Sequence, residues 1–378
     1  MEYRQLGNSN LKVSPFCLGT MTFGTQCDEN ESFKILDYAF NNEVNFIDTA
    51  EQYPAPSTKE KYGLTEKIIG NWITKNNNRN KIIIATKMSG PGIPWIRDGL
   101  LQFSKDKIKQ AVEQSLKRLN SEYIDLFQLH WPERFYKNYA VNKDLELKDE
   151  YNKFEDILGS FEDLIQEGKI RYLGLSNEDY DGLKNYLQII NKNNFSKIIS
   201  MQNRFNLIFR NYDEKFIEIC KKNNISVLGY SPLAFGQLTG KYINEAPINS
   251  RIKLYPKYFN RYSGNNSKFA ISKYSNLSLS ANLSLTDLSM SYCINHSFIT
   301  SSIIGSTSVN QLSELLKSKN KILSVEILKK IKSIHNENNN PTLSREIDKA
   351  DYLLNALKLL FKGDFYSIKL KIKKIFKK

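Results

Sequence analysis

Eight short apolar runs recur along this chain, and each is spaced from the next by enough residues to hold a helix. Seven are clear, at residues 46–48, 82–87, 124–130, 170–175, 198–202, 225–230 and 302–305, and a weaker one at 13–18 precedes them. Strands that are apolar without alternation are buried on both faces, which calls for a parallel sheet covered by helices. The intervening segments have helical spacing. Residues 32–40 carry apolar side chains at 33, 36, 39 and 40, residues 106–119 at 108, 111, 112, 116 and 119, and residues 154–165 at 154, 157, 158, 161, 164 and 165. Each pattern is one buried stripe on a helix. Asp106 and Asp213 are predicted N-caps. Eight strand–helix repeats give the count of a closed α/β barrel, the (β/α)8 or TIM type. The competing architecture, an open doubly wound sheet, would place a GxGxxG turn after its first strand. That place reads Cys17-Leu18-Gly19-Thr20-Met21-Thr22-Phe23-Gly24, which does not match.

The chain has 378 residues, 40% hydrophobic and 25% charged, enough to bury a core without disulfides. Cys17, Cys27, Cys220 and Cys293 lie far apart with no CxxC, which suits a reducing cytosol and argues against a bound metal. No apolar run reaches 18 residues and the first residues lack a signal-peptide pattern, so a cytoplasmic protein is expected. The formal net charge is +14, and residues 342–378 hold ten Lys/Arg against four Asp/Glu, six of that excess. The remainder is the solvated basic surface of a Lys-rich composition, or a basic cavity mouth that draws in a phosphorylated ligand. No zinc-finger spacing, aromatic RNA-binding signature or basic heptad region is present, so no nucleic-acid partner is expected.

Two regions follow: a barrel over residues 1–340 and a basic amphipathic C-terminal extension over 341–378. The extension mixes Lys with Leu, Ile and Phe. The plainer reading is a helix packed on the barrel or a frayed basic end. Weak, peripheral contact with an anionic membrane surface is the alternative. Three long loops, at 88–105, 131–153 and 242–265, all follow a strand and rise from one rim, the C-terminal rim where barrel chemistry sits.

Asp48, Lys87 and His130 each stand where an apolar run stops, on the second, third and fourth strands, and Tyr53 follows Asp48 by five residues. Singly, each has a bland role: a helix cap, a rim charge, a packed ring, a satisfied core histidine. Jointly, on consecutive strands, they make a chemical set. A charge inside a barrel needs a partner, so Asp48 and Lys87 are expected to pair. An ammonium beside a phenol would pull the Tyr53 pKa below its usual value of about 10 and make it a proton donor near neutral pH. His130 would hold a substrate oxygen.

These segments, together with 168–177 (Gly-Lys-Ile-Arg-Tyr-Leu-Gly-Leu-Ser-Asn) and Tyr230-Ser231-Pro232-Leu233, resemble the aldo-keto reductase family over residues 1 to about 340. Within it they are similar to the bacterial Tas-type branch and to the β-subunits of voltage-gated potassium channels. The resemblance implies a barrel that uses NADPH to reduce an aldehyde or ketone. Tyr53 would be the general acid, tuned by Lys87, with Asp48 holding Lys87 and His130 orienting the carbonyl. It implies cofactor contacts from Thr20 and Met21, from Ser176, Asn177 and Gln202 to the carboxamide, and from Tyr230 stacking on the nicotinamide. The loop Ser231, Pro232, Leu233, Gly236, Leu238 and Lys241 would take the pyrophosphate, with Arg251. Gly305, Thr307, Gln311 and Glu314 would take the adenosine and 2′-phosphate end. Phe23, Trp95 and Trp131 are expected to line an apolar substrate pocket, and the substrate is a small-molecule carbonyl compound.

Two positions depart from the family. Leu315 stands where an adenine-contacting Asn is usual, and Glu43 where Gly often precedes the second strand, with Asn42 expected to take the left-handed conformation instead. Two other functions stay open at this point. One is a cofactor-sensing binding or regulatory subunit with little turnover. The weaker one is a metal-dependent hydrolase, which would want more His and carboxylates at strand ends than His130 and Asp48. Oligomeric state is not encoded in any feature of the sequence.

Overall fold

Phe46-Ile47-Asp48 is only three residues long yet pairs on both sides, with Phe16–Gly19 before it and Ile83–Met88 after it. This local rule holds all the way round the molecule. The computed structural model, which describes residues 1–100, 102–135, 153–210 and 212–342, closes eight parallel strands into a barrel. They are β3 (Phe16–Gly19), β4 (Phe46–Asp48), β5 (Ile83–Met88), β6 (Ile124–Leu129), β7 (Ile170–Ser176), β8 (Ile198–Arg204), β9 (Ser226–Tyr230) and β10 (Ile299–Ile304), and β10 pairs back onto β3. The weak run at 13–18 is divided. Val13 belongs with β1 (Arg4–Gln5) and β2 (Lys12–Val13) in an antiparallel hairpin, and only Phe16 onward enters the barrel. Pro15 explains the break, since it cannot donate a ladder hydrogen bond.

The hairpin plugs one end. Leu6, Leu11 and Val13 join Cys17, Phe46, Ile83, Ala85, Leu126, Ile199, Leu228 and Ile303 in a core inside the barrel. Arg4 Nη1 donates to the carbonyls of Ile294, Ile299 and Thr300, tying the plug to the wall. With that end filled, the open end is the rim where the strands terminate.

A second and larger core lies between the strands and the helices. Helices α1 (Glu29–Asn41), α2 (Leu64–Asn76), α3 (Lys105–Leu119), α4 (Phe154–Gln166), α5 (Tyr180–Asn193) and α6 (Glu214–Lys222) follow successive strands. The stripe of α3 buries Ile108, Ala111, Val112 and Leu119, as its spacing predicts. Asp213 caps α6, accepting from the Phe216 N–H at 2.7 Å. Asp106 does not cap α3. Ser104 is the N-cap, and Asp106 lies in the first turn, where a carboxylate meets the positive end of the helix dipole. Past β9 come α7 (Arg251–Leu254), α8 (Asn265–Ser280) and α9 (Leu285–Ile294), and past β10 come α10 (Val309–Leu316) and α11 (Val325–Glu337).

Before β4 it is Glu43 itself, at φ 65°, that adopts the left-handed conformation, while Asn42 stays at φ −101°. The Glu43 carboxylate pairs with the N-terminal amine and its carbonyl accepts from Tyr3, contacts that hold the strained backbone. No helix among the described residues is long and apolar enough to cross a membrane. The extension from 343 onward, with its membrane reading, and most of the 131–153 loop lie outside the described residues.

Candidate active site

Asp48 is the last residue of β4, in register with Gly19 on β3 and Ala85 on β5, and its side chain points into the barrel. Lys87 follows Ala85 by two positions on β5, so the period of a strand sends it to the same face. Its ammonium donates to Asp48 Oδ2 at 2.6 Å and to the Thr49 carbonyl at 2.7 Å. Lys87 is fully buried and Asp48 is 3% exposed, so each charge depends on the other. Asp48 Oδ1 is occupied too. It accepts from Gln202 Nε2 on β8 at 2.7 Å and from Gln128 Nε2 on β6 at 3.3 Å, and Gln202 Nε2 also donates to Gln128 Oε1 at 3.1 Å. Both amide hydrogens of Gln202 therefore point into the floor, which leaves its Oε1 for the cavity.

Tyr53 lies in the loop after β4, held by its N–H to the Ala50 carbonyl. Its ring stands edge-on to His130, centroids 5.7 Å apart, and 5.2 Å from the Lys87 ammonium. The four residues of the chemical set are thus in one place. The electrostatics differ from expectation on one point. Burial, then Asp48, Tyr258 and Tyr230, push the Tyr53 phenol well above its usual value. Lys87 does not pull it down: its ammonium is held in a 2.6 Å pair with Asp48, and that carboxylate acts on the phenol in the opposite sense. Tyr53 therefore keeps its proton. Burial and the nearby Lys87 charge push His130 well below the usual imidazole range, so it is neutral, and its Nδ1 has no hydrogen-bond partner among the described residues.

A cavity of about 850 Å³ opens above this floor. Thr20 and Met21 line it after β3, and Ser176, Gln202 and Tyr230 line it at the ends of β7, β8 and β9. Asn177, at φ 55°, joins two walls: its Nδ2 donates to the His130 carbonyl at 2.8 Å and its Oδ1 accepts from Tyr230 OH at 2.7 Å. Ser231, Pro232, Leu233 and Gly236 continue the lining, with Lys241 and Arg251 beyond them. Gly236 has φ 92°, and a Cβ there would lie 3.2 Å from Lys241 Cε, in the space between the loop and that lysine. Burial and the neighbouring Arg251 lower the Lys241 pKa, and burial lowers that of Arg251. Neither has an ion-pair partner among the described residues, so the two cations are set to receive an anion. Gly305, Gln311 and Glu314 close the far end, with Leu315 beside them. An elongated cavity with an amide acceptor and a ring at one end and unpaired cations toward the other fits a nicotinamide dinucleotide.

Several expected residues stand elsewhere. Leu238 is fully buried beneath its loop rather than on the cavity. Thr307 backs the site, its N–H and hydroxyl both donating to Gln311 Oε1. Phe23 is wholly buried in the core between barrel and helices, because the chain bends down after β3 and Thr65 of α2 holds its carbonyl. It does not line the cavity. Trp95 packs in a rim cluster with Ile93, Ile96 and Trp131 and does not line the cavity. Trp131 does, its indole N–H donating to the Pro91 carbonyl at 3.1 Å. Gly90 makes room for it, since a Cβ there would run into the indole. The loop that carries Gly90 is anchored by the buried pair of Glu51 with Arg97, in which Glu51 Oε1 also accepts from the Ser89 N–H.

Residues that sequence reasoning passed over include Gln128 in the floor and Gln52, Ser57, Lys257, Tyr258 and Arg261 on the cavity wall. Gln128 had a signal. Leu126, Gln128 and His130 alternate along β6, so a strand whose Leu126 and His130 face inward carries Gln128 inward as well. The others lie on loops, where no period applies.

Comparison with known proteins agrees with this architecture. Residues 15–336 match the Aldo/keto reductase family. Protein tas of Escherichia coli is 36% identical over 344 residues, covering 89% of this chain and 98% of that protein. An aldo-keto reductase of Babesia bovis is 37% identical over 251 residues, covering 62% of this chain and 88% of its own length. The uncharacterized oxidoreductase YrpG of Bacillus subtilis is 30% identical over 341 residues, covering 88% and 96%. With the family match spanning nearly the whole barrel and the barrel itself carrying the Asp48, Tyr53, Lys87 and His130 set, this chain belongs to the aldo/keto reductase family, a family of oxidoreductases that act on carbonyl compounds with a nicotinamide cofactor.

Proposed function

We propose that the protein reduces an aldehyde or ketone to the alcohol with NADPH, and that Tyr53 gives the proton. The observation that carries this reading is a phenol kept protonated by burial, facing a neutral imidazole over a paired Lys–Asp floor. When bound, the reduced nicotinamide supplies a hydride to the carbonyl carbon. Tyr53 Oη donates its proton to the carbonyl oxygen as negative charge develops there, and His130 meets the same oxygen with a ring N–H. Lys87 and Asp48 fix the floor beneath Tyr53 without changing net charge. Gln202 and Asn177 are positioned to hold a carboxamide, and Tyr230 forms the wall against which a ring stacks. Lys241 and Arg251 are set to take the cofactor's phosphates, and the choice of NADPH over NADH follows from the family resemblance.

The test is NADPH oxidation over a panel of aldehydes and ketones, with Tyr53→Phe beside the wild type. Tyr53→Phe should lower turnover by about 10²–10⁴-fold, the usual worth of a positioned acid. Its NADPH affinity should stay within a few-fold. Near wild-type turnover in the variant would overturn the assignment of the acid, and tight NADPH binding without consumption over the panel would favour a cofactor-sensing subunit.

A further inference from the structure

Asn177 and Tyr230 line two cavities at once. One is the large cavity above the floor; the other, of about 550 Å³, lies between the ends of β7 and β8 and the first turns of α5 and α6. A wall that is hollow on both faces gains little from packing, so polar ties must fix its place. Asn177 supplies three of them, to the Gln202 carbonyl, the His130 carbonyl and the Tyr230 hydroxyl.

The next residue adds a stronger tie. Glu178 is 5% exposed and takes the Arg134 guanidinium in a two-pronged ion pair, Oε2 accepting from Nη1 at 3.2 Å and Oε1 from Nη2. Asp179 Oδ1 accepts from the same Nη2 at 2.8 Å and from the Gly182 N–H at 2.9 Å. The Glu178 carbonyl accepts from Asn203 Nδ2 at 2.8 Å, which joins the wall to β8. Arg134 follows closely on His130 and Trp131 in the chain. The stretch 130–134 is therefore fastened at both ends to 177–179, by the Asn177–His130 bond and by this pair. A bidentate Arg–carboxylate contact fixes direction as well as distance.

Gly182, in the first turn of α5, shows how little room the pair has. A Cβ there would run into Glu178 Oε1 and Arg134 Nη2. Glycine is a poor helix former, and here its missing side chain leaves the space that the pair fills.

We propose that Arg134 and Glu178 are positioning residues for reduction: their pair holds His130 and Asn177 in register, and so sets the carbonyl held on one side against the nicotinamide held on the other. This rests on the reductase reading above. Neither side chain lines the large cavity, so the pair acts through the His130 carbonyl and the Asn177 side chain. Misplacing reacting groups by about 1 Å costs on the order of 10²-fold in rate. The direct Asn177–His130 bond survives loss of the pair, so a smaller loss, about ten-fold, is expected.

The experiment compares wild type with Glu178→Leu, Arg134→Met, the double variant and Gly182→Ala. The last keeps both charged groups and improves the helix but drives the pair apart. Reduction of 4-nitrobenzaldehyde, or of the best substrate of the panel above, is followed at saturating NADPH. Each of the three single variants should lose about ten-fold in kcat, with KM and NADPH affinity within about three-fold. The double variant should lose no more than the worse of its two singles, because both break one contact. A pair that only supports the fold would lower the urea midpoint and leave kcat of the folded enzyme within about two-fold. That result, or losses that add in the double variant, would overturn the proposal. Where the charge variants do not fold, Gly182→Ala decides in the same way. Were the wild type to reduce no carbonyl compound, the reductase reading would fall separately, and the fluorescence of bound NADPH would read the register instead. Its emission and anisotropy should change in the variants as the Tyr230 wall moves, and unchanged spectra in all of them would overturn the proposal.

Discussion

Replacing Lys87 with Met keeps the length and most of the volume of the side chain but removes the ammonium that holds Asp48. The lost contacts are the 2.6 Å bond to Asp48 Oδ2 and the 2.7 Å bond to the Thr49 carbonyl. Removing one partner of a buried pair costs about 3–5 kcal/mol, because the other charge is left without compensation. Here Asp48 Oδ1 keeps its donors from Gln202 and Gln128, so the lower end, about 3 kcal/mol, is expected. Asp48→Asn should cost a similar amount, since it leaves a buried ammonium with neutral oxygens only. The double variant leaves no buried charge, and its total should stay near about 3 kcal/mol, a coupling of about 3 kcal/mol between the two sites. Urea unfolding followed by tryptophan fluorescence measures all four corners of the cycle, with equal m-values as the check on comparable unfolding. All three variants should lose carbonyl reduction, because Tyr53 no longer stands over a fixed floor. Additive single effects, or singles each below about 1 kcal/mol, would refute the claim that the two charges are mutually dependent.

Other perturbations probe the same site. Gln128→Leu removes the acceptor that directs Gln202 inward, so NADPH affinity should fall about five- to ten-fold, with a smaller change in the kcat for bound substrate, as titration and steady-state kinetics would show. The pH profile of reduction should be flat between about 6.5 and about 10, the ordinary His and Tyr values. The required neutral His130 is lost only as pH falls through a value below that window, and the required protonated Tyr53 only as pH rises through a value above it. An inflection near pH 8 would mean that Lys87 does tune the phenol downward. Outside the site, burial and Arg210 lower the His296 pKa to about 4. The unfolded chain takes up that proton first, so stability present above about pH 6.5 is lost as pH falls toward about 4. His296→Phe, which keeps ring packing against Phe205 and Phe298, should reduce the stability lost between pH 7 and pH 5 by about 2 kcal/mol, and an unchanged pH dependence of urea midpoints would contradict this.

The barrel was legible in the chain because eight two-sided apolar runs leave few other ways to bury them. The floor was legible for a related reason: Asp48, Lys87 and His130 stand at or within one residue of strand ends, and strand ends in a barrel have one destination. Beyond the strands, composition and spacing lose their hold. Phe23 and Trp131 are both aromatics just past a strand, yet one turns down under α2 and the other stays on the cavity, and only the loop path decides. Asn42 and Glu43 show the same limit at smaller scale. Propensity favours Asn in the left-handed conformation, but contacts from Met1 and Tyr3 place Glu43 there. The Tyr53 pKa was misjudged because charge pairing was inferred residue by residue. A lysine bound to an aspartate does not act as a lone cation: Asp48 raises the Tyr53 phenol, while Lys87 acts on His130.

That last point organises the electrostatics of the whole cavity. A floor with opposite charges 2.6 Å apart acts on its surroundings as a short dipole, and its influence falls off steeply with distance. Tyr53 and His130, immediately above it, then answer mainly to burial. Burial drives both toward their neutral forms, which are the proton donor and the oxygen holder that reduction requires. Lys241 and Arg251 along the cofactor side carry no such pairing among the described residues, so they attract anions from outside. Binding and proton transfer are thereby assigned to separate groups. Changes in Lys241 or Arg251 should weaken cofactor binding and leave the pH profile of the chemical step in place, whereas changes in Asp48 or Lys87 should abolish that step.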